Sequence, residues 1–198
     1  AFCWPSLNFQ NHLLQRYRIE EHRIRASEAA LAEWIGQLSQ LDGQLHVIAH
    51  SMGNRGMLES VHRALDGKNV RDGGIGQLIF TAPDVEQGDF VSRAARLAGK
   101  SNRMTLYASN KDRALGWSKR LSGFSVRAGL MPPPTILDGL DTILVEHPAP
   151  LFSFGHSYYA DHQPLLDDIR RLIEHNEQPS TPERSLELDS SRQYWLMR

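Results

Sequence analysis

The sequence contains a single cysteine, Cys3, so the chain cannot form an internal disulfide. One cysteine does not distinguish an oxidising from a reducing compartment. No apolar run reaches the roughly 18 residues that a membrane-spanning helix needs, and no signal-peptide pattern is present. The chain starts with Ala1 rather than methionine, which we interpret as a cut end, so the localisation stays open.

The sequence also lacks an excess of one charge. Lysine and arginine number 22, aspartate and glutamate 23, and the formal net charge is −1. No overall field therefore favours nucleic acid or an anionic membrane. The 198 residues suffice for one domain with a sizeable core, and the 40% hydrophobic content is typical of a globular protein.

Short apolar runs alternate with stretches of helical periodicity, which predicts a parallel sheet with helices on both faces. The predicted strands are Leu45–Ile48, Leu78–Thr81, Met104–Ala108 and Thr142–Val145, with Ala1–Trp4 as a fifth candidate. The predicted helices are Leu31–Leu41, with Ser27 as N-cap and Gly43 as its stop, followed by Met57–Leu65, Phe90–Ala98 and Pro164–Ile173.

The segment Leu45–Asn54, LHVIAHSMGN, ends an apolar run in a His-Ser-Met-Gly turn. A nucleophile elbow needs small residues two positions before and after its serine, because the strand-to-helix turn is crowded. Ala49 and Gly53 meet this requirement around Ser51, and Met57–Leu65 supplies the following helix. Ser51 could instead only cap that helix, but capping does not require small residues on both sides. We therefore interpret Ser51 as the candidate nucleophile.

A serine nucleophile needs a histidine to take its proton and a carboxylate to hold that histidine. Where the serine lies on such an elbow, the chain order is serine, carboxylate, histidine. Asp112 follows the third predicted strand and is the candidate acid. Asp84 follows the second strand and stays an alternative, and either aspartate could instead cap a turn or a helix.

The candidate base is His156, which follows the fourth predicted strand in a loop behind Gly155. His147 comes too soon after that strand. His162 lies against the helix opened by Pro164, and a helix N-terminus disfavours the imidazolium that a base must become. The nine histidines of the chain leave a plain surface role open for any one of them.

Neither a metal nor a phosphate site is indicated. His46 and His50 are four residues apart, but on a strand and its turn rather than on one helical face. The glycine-rich DGGIGQ of Asp72–Gln77 precedes a strand, whereas a nucleotide loop follows one. We expect no cofactor.

These segments together resemble the α/β-hydrolase superfamily. HVIAHSMGN, FTAPDVEQGDF, YASNKDRAL and SFGHSYYADH are most similar to its bacterial, lipase- and esterase-like branch of unknown function, domain-of-unknown-function family 900. The opening FCWPS fits the same branch, and the likeness covers Ala1 to Glu174. It implies an α/β-hydrolase fold, a mostly parallel sheet flanked by helices, with Ser51 as nucleophile, Asp112 as orienting acid and His156 as base. It implies no particular substrate.

The chain departs from this family at its beginning. Relatives carry a further strand before the WPS strand, which ends in a His-Gly loop that gives an oxyanion donor. We therefore expect residues 1–198 to be a trimmed chain with N-terminal strands missing. Ala1–Trp4 would then stand apart from strand Leu45–Ile48 or occupy the vacated position. Loss of one oxyanion donor costs about 10²–10³ in kcat, so the trimmed chain is expected to be a weak catalyst.

The resemblance and the residues predict a serine hydrolase that cleaves a carboxylic ester or thioester through an acyl-enzyme, with the backbone N–H of Met52 facing the oxyanion. A non-catalytic binding domain of the same fold and an acyltransferase with the same triad stay open. The expected partner is a small ester or acyl substrate, with no nucleic acid and no membrane span. The oligomeric state is not predicted.

Two stretches fall outside the regular alternation. Gly116–Leu140 is marked by glycine and proline and predicts a partial loop near the site. Its Trp117, Phe124 and Leu130 could line an acyl pocket or simply pack in the core. The predicted organisation is an N-terminally truncated α/β-hydrolase domain over residues 1–175 and a polar, mobile C-terminal tail over residues 176–198.

Overall fold

The computed structural model describes residues 13–146, 162–191 and 193–197, and these contain a six-stranded sheet. The strands are β1 Leu45–His50, β2 Ile75–Thr81, β3 Arg103–Ala108, β4 Leu140–Val145, β5 Glu187–Leu188 and β6 Trp195–Met197. Their order across the sheet is β1-β2-β3-β4-β6-β5. Every pairing is parallel except that of β5 with β6. The predicted mostly parallel sheet is confirmed.

The helices follow the strands as the alternating pattern predicts. They are α1 Leu13–Ser39, α2 Gly53–Asp66, α3 Gln87–Ala95, α4 Arg113–Leu121 and α5 Gln163–His175, with a 3₁₀ turn at Pro182–Arg184. The prediction of Ser27 as an N-cap is wrong, because α1 begins earlier and Ser27 donates from its hydroxyl to the Arg23 carbonyl inside that helix. The charged residues before Ser27 therefore form a solvated helical surface rather than a loop.

Both faces of the sheet are covered, because successive residues of β2 point into different clusters of buried side chains. Leu78 and Phe80 belong to the cluster that packs against α1, α2 and α3. Ile79 belongs to the cluster formed with α5 and the first turns of α4. All seven residues of β2 are buried, as expected for an interior strand of a parallel sheet.

The C-terminal residues extend the sheet, which corrects the prediction of a mobile tail. β6 pairs in parallel with β4, and β5 returns antiparallel to β6. A buried ion pair fixes this segment to the domain: Arg184 donates to both carboxylate oxygens of Asp168 in α5, at 2.6 and 2.8 Å. The prediction missed these strands because the segment before Tyr194 is polar and the apolar run of β6, Trp195–Met197, is only three residues long.

The connection Gly116–Leu140 begins as a helix and continues as an ordered segment, so only part of it is a loop. Residues 126–131 lie along the ends of β2 and β3 through backbone hydrogen bonds. The Gly129 N–H donates to the Pro83 carbonyl at 3.0 Å, and the Ser109 N–H donates to the Gly129 carbonyl at 3.0 Å. This segment therefore forms a fixed wall beside the end of the sheet.

Strand β1 lies at one edge of the described sheet, where the predicted missing N-terminal strand would pair. Within the described residues, β1 pairs only with β2. The predicted strand Ala1–Trp4 lies outside the described residues. The truncation therefore stays a prediction.

Candidate active site

The candidate site residues lie where parallel strands end. Since β1, β2 and β3 run parallel, their carboxyl ends share one edge of the sheet. Ser51 follows β1, Asp84 comes three residues after β2, and Asp112 comes four residues after β3. β4 ends at this edge as well, and the predicted base, His156, follows it in residues 147–161, which lie outside the described residues.

Ser51 occupies a sharp junction between strand and helix. Its backbone is left-handed, with φ at 53°, a conformation that a residue with a Cβ adopts only at a cost of about 1–2 kcal/mol. The Ser51 N–H donates to the Thr81 carbonyl at 3.0 Å and so extends the pairing of β1 with β2. Its own carbonyl accepts from the Asp84 N–H at 3.1 Å and the Asn54 N–H at 3.2 Å. The turn is held from both sides.

The alternative interpretation of Ser51 as a helix cap stays a hypothesis beside the nucleophile interpretation. The N-cap position of α2 is Met52, with φ at −61° and ψ at −23°. Ser51 precedes that cap and is partly exposed. Met52 thus places its backbone at the positive end of the α2 dipole, where a developing negative charge is stabilised.

Asp112 is buried, with 2% of its surface exposed, and forms the N-cap of α4. Its Oδ1 accepts from the Leu115 N–H at 3.0 Å. The helix-cap role considered from the sequence is therefore present. A carboxylate has two oxygens and several acceptor positions, so a cap does not prevent the same group from orienting an imidazole.

Asp84, the alternative acid, is enclosed by structural partners. Its Oδ1 accepts from the Ser118 hydroxyl at 2.6 Å and from the Tyr17 hydroxyl at 3.3 Å. The Arg127 Nε lies 3.3 Å from the same oxygen, and Arg127 is itself 2% exposed. The ion pair balances the buried charge of Asp84, and the three contacts together join α1, α4 and the wall segment to the end of β2.

Arg55 on α2 connects the same region to α1. Its Nε donates to the Asp84 carbonyl at 2.8 Å, and its guanidinium hydrogen-bonds the Tyr17 hydroxyl. A second nitrogen lies 3.0 Å from Glu21 Oε1. Sequence analysis missed these contacts because they join residues far apart in the chain, and no local pattern marks them.

Of the three residues suggested for an acyl pocket, one packs against the core and two are exposed. Leu130 packs against the buried cluster that contains Leu115 and Tyr107. Trp117 and Phe124 are instead exposed, with 49% and 71% of their surfaces accessible. Neither aromatic residue packs in the core.

An apolar groove of about 480 Å³ lies beside the elbow, between α1, α2 and β1. Its apolar lining includes Leu31, Ile35 and Met57. At one end it reaches Ala49 and Gly53, the small residues on either side of Ser51. The groove also follows the whole of β1, along the edge that has no partner strand within the described residues.

The described residues form neither a metal-binding cluster nor a membrane-spanning helix. Across 13–146, 162–191 and 193–197, no group of three histidine, cysteine or acidic side chains is arranged to hold a metal ion. Within the same ranges, no helix has both the length and the apolar character to cross a membrane.

Comparison with known proteins gives one result. None of the curated proteins and none of the solved structures compared with the chain matches it. The family model of an alpha/beta hydrolase of unknown function, DUF900, matches residues 1–168. The parallel sheet and flanking helices agree with that fold. The chain belongs to the DUF900 family of alpha/beta hydrolases.

Proposed function

We propose that this protein is a serine hydrolase that cleaves a carboxylic ester or thioester, with Ser51 as nucleophile. The observation that carries the proposal is the left-handed backbone of Ser51 at the junction of β1 and α2. Strained residues persist only where the surrounding structure holds them, and they cluster at active sites. Membership of an alpha/beta hydrolase family supports a hydrolytic role.

In the proposed mechanism, His156 takes the Ser51 proton as the oxygen attacks the carbonyl carbon. Asp112 keeps the imidazole in the required tautomer and stabilises its charged form. The Met52 N–H donates to the oxyanion of the tetrahedral intermediate. His156 then protonates the leaving group, and water attacks the acyl-enzyme with the same base.

The choice of Asp112 over Asp84 rests on their neighbours. Asp84 Oδ1 already faces Ser118, Tyr17 and Arg127. Asp112 caps α4 with one oxygen at the end of β3. A helix cap is compatible with a second hydrogen bond to histidine, whereas the ion pair with Arg127 gives Asp84 a structural task.

The test is covalent labelling with a fluorophosphonate, which modifies an activated serine without needing the natural substrate. We expect labelling of the purified protein and its loss in Ser51→Ala and His156→Ala. Ser92→Ala is the matched control, because Ser92 is an exposed helical serine outside the site. Labelling that survives Ser51→Ala would refute the nucleophile, and no labelling at all would favour a binding domain. Product analysis with a competing alcohol separates hydrolysis from acyl transfer.

A further inference from the structure

Helix α4 and the turn after it each expose an aromatic side chain to solvent. Its buried side chains are Leu115 and Ser118, with 1% and 6% of their surfaces exposed. Trp117 is 49% exposed, and Phe124, in the turn after the helix, is 71% exposed. A surface helix normally directs its largest apolar residues to the core. In α4 a serine is buried while a tryptophan faces water, so packing within the domain does not explain the position of Trp117.

Cations accompany the aromatic residues on this outward face. Arg113, Trp117 and Arg120 are spaced by four and three residues and therefore share one side of α4. The Arg120 guanidinium lies 5.6 Å from the centre of the Trp117 ring. Lys111 and Lys119 add two charges beside this face.

Several exposed cations lie on and beside α4. In the part of the chain that the structure describes, no ion pair involves Lys111, Arg113, Lys119 or Arg120. The carboxylate of the same segment, Asp112, is buried and caps the helix. The overall net charge of −1 therefore conceals a concentration of exposed cations at one place.

The turn after α4 holds Phe124 in a costly conformation. Gly123 and Phe124 both have left-handed backbones, with φ at 72° and 66°. The Phe124 N–H donates to the Lys119 carbonyl at 2.8 Å, which closes the end of the helix. Glycine or asparagine usually fills such a position, and a bulky residue there is an outlier. The ring of Phe124 is largely exposed to solvent, so it contributes little to the stability of the fold.

We propose that the outward face of α4, formed by Arg113, Trp117 and Arg120, docks together with Phe124 of the following turn on an anionic lipid surface. Aromatic rings are favoured at the boundary between headgroups and acyl chains, and arginine side chains bind lipid phosphates. Charge complementarity selects an anionic rather than a neutral surface. Docking goes beyond the proposed hydrolysis and does not depend on Ser51. It brings the end of the sheet near the lipid, because Asp112 caps the same helix.

The test is co-sedimentation of the whole chain with vesicles. We expect binding to vesicles of phosphatidylcholine mixed with phosphatidylglycerol, much weaker binding to phosphatidylcholine alone, and release at high salt. The double variant Trp117→Ser/Phe124→Ser should weaken binding about tenfold or more. Arg113→Gln and Arg120→Gln should each weaken it about fivefold.

Matched controls separate this face from general adhesion. Leu188→Ser removes another apolar side chain, 44% exposed, and Lys100→Gln removes an exposed cation elsewhere. Both controls should bind anionic vesicles as the parent does. Absence of binding at low salt, equal binding to neutral vesicles, or unchanged binding of the double variant would each overturn the proposal. Tighter binding to a single-stranded oligonucleotide than to vesicles would overturn it in favour of a nucleic acid. Fluorophosphonate labelling of Ser51 is measured separately, so either proposal can fail alone.

Discussion

The side-chain amide of Asn54 holds the backbone carbonyl of Ser51, with Asn54 Nδ2 2.9 Å from that oxygen. The same nitrogen lies 3.2 Å from the Thr81 carbonyl at the end of β2. Asn54 is completely buried on the first turn of α2. One buried amide thus joins the strained turn to the neighbouring strand, which stabilises a backbone that would otherwise relax.

Asn54→Ala should destabilise the protein by about 1–2 kcal/mol, because the Ser51 and Thr81 carbonyls each lose one donor and keep their backbone donors. Labelling of Ser51 should also slow, since the turn that presents the hydroxyl loses its support. Denaturant unfolding and the rate of fluorophosphonate labelling check the two effects. Asn102→Ala is the control, because its amide bonds Gln44 at 2.9 Å on the surface. An Asn54→Ala variant as stable as that control would contradict the role given to Asn54.

The two aspartates should respond in opposite ways to replacement by asparagine. Asp112→Asn should fold normally, because asparagine is an equally good N-cap, while kcat falls by about 10⁴. Asp84→Asn should lose about 3–5 kcal/mol of stability, because Arg127 keeps a buried charge without its partner. Ester turnover per folded molecule should be retained in Asp84→Asn. Thermal unfolding and p-nitrophenyl ester hydrolysis, measured on both variants, check these effects. Loss of turnover in Asp84→Asn with turnover retained in Asp112→Asn would show that Asp84 is the acid.

The sequence predicts the sheet because each parallel strand is a compact apolar run. Leu78–Thr81 is buried on both faces, and its composition alone indicates this. The elbow is visible for a similar reason, since crowding at Ser51 restricts the residues two positions away. The apolar strands and the small residues around Ser51 are both local sequence patterns, so they can be recognised in a single sequence.

Contacts between distant residues leave no such local signal. Asp84, Ser118 and Tyr17 meet only after α1, α4 and β2 are packed. The first half of α1 was missed because it is stabilised by surface pairs such as Glu21 with Arg25, at 2.8 Å, rather than by a wide apolar stripe. β6 was missed because three apolar residues are too short a run to indicate a strand, and pairing with the distant β4 orders them.

The buried ion pair that fixes the C-terminal segment gives a third prediction. Arg184→Ala should cost about 3–5 kcal/mol, because the carboxylate of Asp168 then stays buried without its cation. Burial and the adjacent Asp168 carboxylate raise the pKa of Tyr107, so its hydroxyl stays neutral and donates to that carboxylate at 2.6 Å without contributing a positive charge. Limited proteolysis should then cut within β5 and β6.

The exposed pair Arg170 and Asp167, 3.8 Å apart, is the control for this prediction. Arg170→Ala should change stability by less than about 1 kcal/mol. Equal effects of Arg184→Ala and Arg170→Ala would show that burial of the Asp168 pair does not matter.

Gly129 is required by a close backbone contact. A Cβ at this position would lie 2.6 Å from the Ala82 carbonyl carbon and 2.6 Å from the Pro83 nitrogen. Gly129→Ala should therefore cost about 1–3 kcal/mol, since the wall segment must move away from the end of β2. Gly116→Ala is the matched control, because its Cβ meets no described atom within 4 Å inside α4. That control should gain about 0.5–1 kcal/mol, and calorimetry of both variants checks the difference in sign.

His46 makes the stability depend on pH near neutrality. Its Nδ1 accepts from the Gln77 N–H at 3.2 Å at the irregularity between β1 and β2, which requires a neutral ring. Burial lowers the pKa of His46 below its ordinary value of about 6.5. The stabilisation is therefore complete above about pH 6.5 and is lost as the pH falls below that value, because the unfolded chain binds a proton that the folded ring resists. Urea unfolding between neutral and mildly acidic pH should show a shallower loss of stability in His46→Asn than in the parent. Parallel pH profiles for the two proteins would mean that the His46 pKa is the same in the folded and unfolded chains.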